Sequence, residues 1–281
     1  MGPAYPGGVA GPSDAGAEYR GGTRGRRVAA ALSLVLGLGL IGGAVAGAVI
    51  NHGPRDEPPV VDGSPEAFAK ARQVWRETPV DQIFPRTVRG AAGGPGGADK
   101  AWTRIGVAAP TGCTGAFDPL LQRVLAPAGC VRLLRATYVD STSTTVTTVG
   151  LLVTSGEAPA MRALNQRWTA EHLGERGDLL PKPVAFPGTP AASFGDPQRG
   201  SWDVQVSADL PFVVYAVSGF ADGRAVPDRQ PADKATADGA TTTPAQAGLG
   251  YDATGLASAV DDRLHATVGA LLHPTTPGTE K

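Results

Sequence analysis

The sequence has few of the residues that usually carry chemistry. In 281 residues there are two cysteines, Cys113 and Cys130, and four histidines, His52, His172, His265 and His273. No H-E-x-x-H and no C-x-x-C occurs, so the common zinc-binding and thiol-exchange motifs are missing. A G-x-S-x-G elbow, a Ser-x-x-Lys pair and a P-loop are missing too. The one G-x-G-x-x-G, at Gly37, Gly39 and Gly42, lies inside an apolar run with no strand before it. It therefore lacks the strand-to-helix turn that lets this motif hold phosphate. No cofactor is implied. Charged residues amount to only 18% and the net charge is −1. That excludes a general nucleic-acid binder, which needs a basic surface to displace phosphate counterions.

Glycine and proline are abundant, at 39 and 25 positions. Such a share predicts long irregular stretches, while 42% hydrophobic residues suffice for one ordinary core. The longest apolar run is residues 28–50, VAAALSLVLGLGLIGGAVAGAVI, with Ser33 its only polar side chain. As a helix it is about 34 Å long, enough to cross a hydrocarbon layer of about 30 Å. Arg20, Arg24, Arg26 and Arg27 precede it, whereas Arg55 and Lys70 are the only basic residues in the next twenty. The positive-inside rule then puts residues 1–27 in the cytoplasm and residues 51–281 across the cell membrane. A cleaved signal peptide ending near Ala44-Val45-Ala46 is the competing reading; the length of the run favours a retained single-pass anchor. Gly39, Gly43 and Gly47 form a tandem G-x-x-x-G along one face, which predicts weak self-association of the helix into a homodimer.

Domain organisation follows from composition. Residues 1–27 read as a disordered tail and 28–50 as the transmembrane helix. Residues 51–98 read as a stalk, a short helix and a Gly-rich linker, 99–273 as an extracytoplasmic α+β domain, and 274–281 as a second disordered tail. The short helix is predicted from Ser64, an N-cap, with Pro65 at the first helical position. Fourteen of the sixteen aromatic residues lie between Phe68 and Tyr251, so the core belongs there. Residues 104–109, 130–140, 144–154, 202–208 and 212–220 read as strands, and 117–125 and 158–172 as helices, the second capped by Ser155. Leu256, Val260, Leu264 and Val268 mark the stripe of a last helix. The first six elements, β-α-β-β-α-β, match a ferredoxin-like core with helices on one face, to which a strand and the C-terminal helix are added.

Two long Pro- and Gly-rich connections, 174–200 and 221–251, flank the hairpin 201–220 and should emerge side by side. Leu179, Leu180, Val184, Phe186 and Phe194 in the first either line a partner surface or tuck the loop onto the sheet. His172 lies near Glu171 and Glu175, and His265 one turn after Asp261, pairings that exposed helix-face ion pairs explain without a metal or catalytic site. Cys113 and Cys130 are an even count in an exported domain, which predicts a disulfide clipping the connection around the 117–125 helix.

The excess of Arg over Lys, 20 against 5, and the stretches RATYVD, FGDPQRGSW, VSGFADGR and PAQAGLG give residues 78–272 a resemblance to uncharacterised single-pass membrane proteins of high-GC actinobacteria. The resemblance implies an envelope location and no particular activity. The function expected is a membrane-anchored extracytoplasmic binding or accessory module of the cell envelope. Its partners would be the lipid bilayer and an envelope protein. The rival expectation is an envelope hydrolase whose carboxylates are brought together only by the fold.

Overall fold

Two nine-residue segments, Thr145–Val153 (TVTTVGLLV) and Phe212–Phe220 (FVVYAVSGF), are buried at every position. A strand with one wet face would alternate; continuous burial means that these strands are covered on both sides. In the computed structural model, which describes residues 63–109 and 112–273, they are the centre of a seven-stranded sheet. Its strands are β1 (Thr87–Gly90), β2 (Lys100–Val107), β3 (Arg132–Asp140), β4 (Thr145–Val153), β5 (Ser201–Val206), β6 (Phe212–Phe220) and β7 (Gln230–Pro231). Their spatial order is β1-β2-β3-β4-β6-β5-β7. All neighbours are antiparallel except β5 and β7.

Among the helices, α1 (Pro65–Ala71), α2 (Val74–Glu77) and α3 (Val80–Ile83) precede β1, and α4 (Pro119–Leu125) lies between β2 and β3. Then come α5 (Ala158–Ala170) after β4, and α6 (Ala232–Ala235), α7 (Thr243–Gln246) and α8 (Leu249–Leu272) after β7. One face of the sheet is covered by α8, whose Leu256, Val260, Leu264 and Val268 pack with Val149, Leu151, Val153, Phe212 and Val214. The other is covered by Leu121 and Val124 of α4, Met161, Leu164 and Trp168 of α5, and the chain following α5. The architecture is thus mixed α+β in three layers. The two helices expected over the core, α4 and α5, share one face with the long connection after α5, which packs down as part of a second core, and the added C-terminal helix α8 covers the other.

The ferredoxin-like order is not the one observed. That order would place β2 between the third and fourth core strands, β4 and β5. Here β2 lies between β1 and β3, and the sheet runs from β2 to β3 to β4 in chain order. The segment read as stalk, short helix and linker contributes directly: Ala67, Phe68, Ala71 and Val74 are fully buried, and β1 pairs with β2 across a glycine-rich loop that holds two turns, closed by the Gly93 N–H on the Gly90 carbonyl and the Gly97 N–H on the Gly94 carbonyl. Ser64 caps α1 as expected, its side chain accepting from the Ala67 N–H at 3.1 Å. Ser155 does not cap α5. Its Oγ lies over Gly129, within 2.0 Å of where a Cβ would stand, and Glu157 occupies the N-cap without a side-chain bond.

The predicted transmembrane helix 28–50, with Gly39, Gly43 and Gly47, lies outside the described residues, as do both predicted tails. Among the described residues no helix is long and apolar enough to cross a membrane.

Candidate functional site

Cys113 and Cys130 form a disulfide, with Cα atoms 6.4 Å apart, closing the connection that holds α4. Together with Phe117, Leu125 and Leu152 they line an apolar cavity of about 150 Å³. Of the five apolar residues expected to offer a partner surface, Leu179, Leu180 and Phe194 are buried in the second core. Val184 and Phe186 are half-buried. The Val184 N–H donates to Thr148 Oγ1 at 2.9 Å and its carbonyl accepts from Thr137 Oγ1 at 2.8 Å. The Phe186 ring covers Gly106, where a Cβ would stand only 2.4 Å from it. The sheet face thus takes up these side chains, because apolar groups bury against the nearest dry surface.

The two long connections do meet. The Val226 N–H donates to the Pro197 carbonyl at 2.9 Å, and Gln198 Nε2 donates to the Gly223 carbonyl at 2.9 Å. Lys234 Nζ lies 3.4 Å from Glu175 Oε2. Where the beginning of the first connection faces the middle of the second, a cleft of about 220 Å³ opens at the margin of the sheet. Trp168, Trp202 and Val204 form its apolar wall; Glu175, Asp203 and Asp233 border it. Trp202 is fixed by its Nε1–H, which donates to the Gly174 carbonyl at 2.9 Å. The cleft sits there because β7 pairs with β5 only at Ser201 and Trp202, leaving the outer edge of β5 beyond Trp202 without a neighbouring strand.

The carboxylates of the cleft differ in character. Burial pushes the Asp203 carboxyl up, against the opposing hydrogen bonds from Gln205 and the Val204 N–H. The Lys234 ammonium, and after it His172, hold the Glu175 carboxyl below its usual range. His172 Nδ1 lies 3.1 Å from Glu175 Oε1, the expected exposed pairing.

His265 also finds Asp261, at 3.3 Å, as the helical spacing requires, and in addition Asp209 at 3.5 Å on the turn between β5 and β6. The bonds its ring donates, to Asp209 first and then to Asp261, push its pKa up to about 10 despite partial burial.

A second polar centre was not foreseen. Asp252, on the first turns of α8, has no solvent exposure and accepts from Lys100 Nζ at 2.7 Å, Thr145 Oγ1 at 2.7 Å and Trp102 Nε1 at 2.9 Å. Burial pushes its carboxyl up while these three donors oppose the shift. The sequence holds a signal for it: Asp252 stands three residues after Leu249 and four before Leu256, on the apolar stripe itself, where a charge requires a partner. Among the described residues no group of three or more His, Cys, Asp or Glu side chains is placed to hold a metal ion. No protein-family profile, no curated protein and no solved structure matches the chain.

Proposed function

We propose that this chain is a single-pass membrane protein whose extracytoplasmic domain is a binding module of the cell envelope, with the cleft between the two long connections as its binding site. The observation that carries this reading is the cleft's position at the edge of β5 beyond Trp202, which among the described residues has no neighbouring strand and whose Val206 carbonyl is met only by the Asn165 side chain, at 2.6 Å. A strand edge presents backbone donors and acceptors to an incoming extended segment, and flanking pockets select its side chains. With a tryptophan wall and three carboxylates on its border, the cleft suits an extended segment of an envelope protein that carries basic residues. Export is supported by the Cys113–Cys130 disulfide, since such bonds persist in oxidising compartments.

The test is photo-crosslinking in the native membrane from a probe at Thr169 on the cleft wall, followed by partner identification. One partner protein should be recovered, and Asp233→Lys should reduce its yield at least about tenfold. A yield unchanged by Asp233→Lys would refute the cleft as the site. A second reading is hydrolysis: burial raises the Asp203 carboxyl, and Glu175 and Asp233 border the same cleft, the kind of grouping from which a general acid is drawn. Under that reading Asp203→Asn would reduce hydrolysis of envelope polymers by roughly 100-fold or more.

A further inference from the structure

Outside the cleft, cationic and aromatic side chains gather where α2 meets the start of β3. The guanidiniums of Arg76 and Arg132 lie over the Trp75 ring, 4.7 and 4.6 Å from its centroid, Arg76 exposed and Arg132 half-buried with its Nε inside. Arg76 bonds only to Gln73 Oε1, at 3.2 Å, and neither Arg76 nor Arg132 has a carboxylate within 4 Å among the described residues. Next to them, Arg72 is neutralised by Glu157 at 2.7 Å, and Glu77 follows Arg76. From Ala67 to Arg76 the chain carries Lys70, Arg72 and Arg76 with no acid. The only two large hydrophobic side chains exposed among the described residues flank this stretch in sequence: Val131 precedes Arg132, and Val80 opens α3, separated from Arg76 by the extended Thr78 and Pro79.

Tryptophan, valine and uncompensated arginine in one patch is the composition of a surface that meets lipid headgroups, the cations reaching the anionic groups and the ring lying at the interface. A second copy of the chain would bring like charges together, which disfavours that occupant. Chain length points the same way. Only twelve residues, 51–62, separate the apolar run from Gly63, and fully extended they span about 40 Å. The short α1 then leads directly to the patch.

We infer that the patch formed by Trp75, Arg76, Val131 and Arg132 docks the outer domain onto an anionic lipid surface. The inference rests on the reading that residues 28–50 span the membrane. All four tryptophans lie between residues 75 and 202; Trp102, Trp168 and Trp202 are buried, whereas Trp75, packed against the first core with its Nε1 inside, is half-buried and is the tryptophan placed to report contact with lipid.

The full chain is reconstituted into vesicles containing acyl-brominated phosphatidylglycerol in phosphatidylcholine, and separately into vesicles of brominated phosphatidylcholine alone. Failure of the chain to float with either vesicle would refute the membrane anchor itself. With the chain incorporated, the anionic vesicles should quench up to one quarter of the emission, the share of one tryptophan in four. Trp75→Phe should abolish that quenching, and Arg76→Glu with Val131→Glu, both exposed positions, should reduce it at least about fivefold. Incorporation without quenching, or equal quenching by phosphatidylcholine alone, would overturn the inference and leave the anchor standing.

Discussion

Asp252 is the carboxylate on which the tie between α8 and the sheet depends. A buried charge is tolerated only when its lone pairs are satisfied, and here Lys100, Trp102 and Thr145 supply the donors from β2 and β4. Replacing Asp252 with Ala would leave a mostly buried ammonium and two buried donors without a partner. The expected loss is about 3–5 kcal/mol, read as a lowered midpoint in chemical denaturation of the detergent-solubilised chain. His265 is expected to show itself in pH dependence. Its folded pKa of about 10 exceeds the ordinary value of 6.5, so the stabilisation is fully present below pH 6.5 and is lost as pH rises through 10. Allowing for solvent screening, the change is about 1–2 kcal/mol. Subtracting the stability profile of His265→Gln from that of the unaltered protein should isolate this slope between pH 6.5 and 10; parallel profiles would disprove it.

Among the elements, α4 and its flanking loops are held by the disulfide, by an isolated bridge between Phe117 and Pro181, and by the burial of Leu121, Val124 and Leu125 in the second core. The cysteines are 17 residues apart, and a loop of about this size contributes roughly 3 kcal/mol by restricting the unfolded chain. Replacing both Cys113 and Cys130 with Ser should lower the unfolding midpoint accordingly. Alkylation of the natively exported, undenatured protein should find neither thiol free in the unaltered chain. Elements also differ in how plainly the sequence announced them. The stripe of α8 and the cap of α1 were legible because helical periodicity and capping are local. β1, only four residues long, was not, because TVRG acquires its strand conformation from pairing with β2. The cleft was half legible. The flanking connections and their adjacency follow from the hairpin between them, whereas Trp168, Trp202 and the three carboxylates are gathered by folding alone.

At the scale of the whole molecule, the reading of residues 28–50 as a retained anchor with the N-terminus inside makes a direct prediction. Protease added outside intact spheroplasts should degrade residues 51–281 and spare the N-terminal tail. A mature N-terminus at Gly47 would instead show that the helix is removed, and full protection of the outer part would refute the orientation.

The sequence by itself determined those features that depend on neighbours along the chain: the apolar run and its charge asymmetry, the main helices and strands, and an even pair of cysteines. Periodicity, capping and composition act over a few residues, so one dimension suffices to read them. The tertiary structure alone decided the strand order, the second core beneath the 174–194 segment, the cleft and the Asp252 centre. These arise from contacts between residues as far apart as Trp102 and Asp252, 150 positions along the chain. Which strand edge is still unpaired, and which buried charge meets a donor, is set only when distant segments compete for the same sheet and the same core.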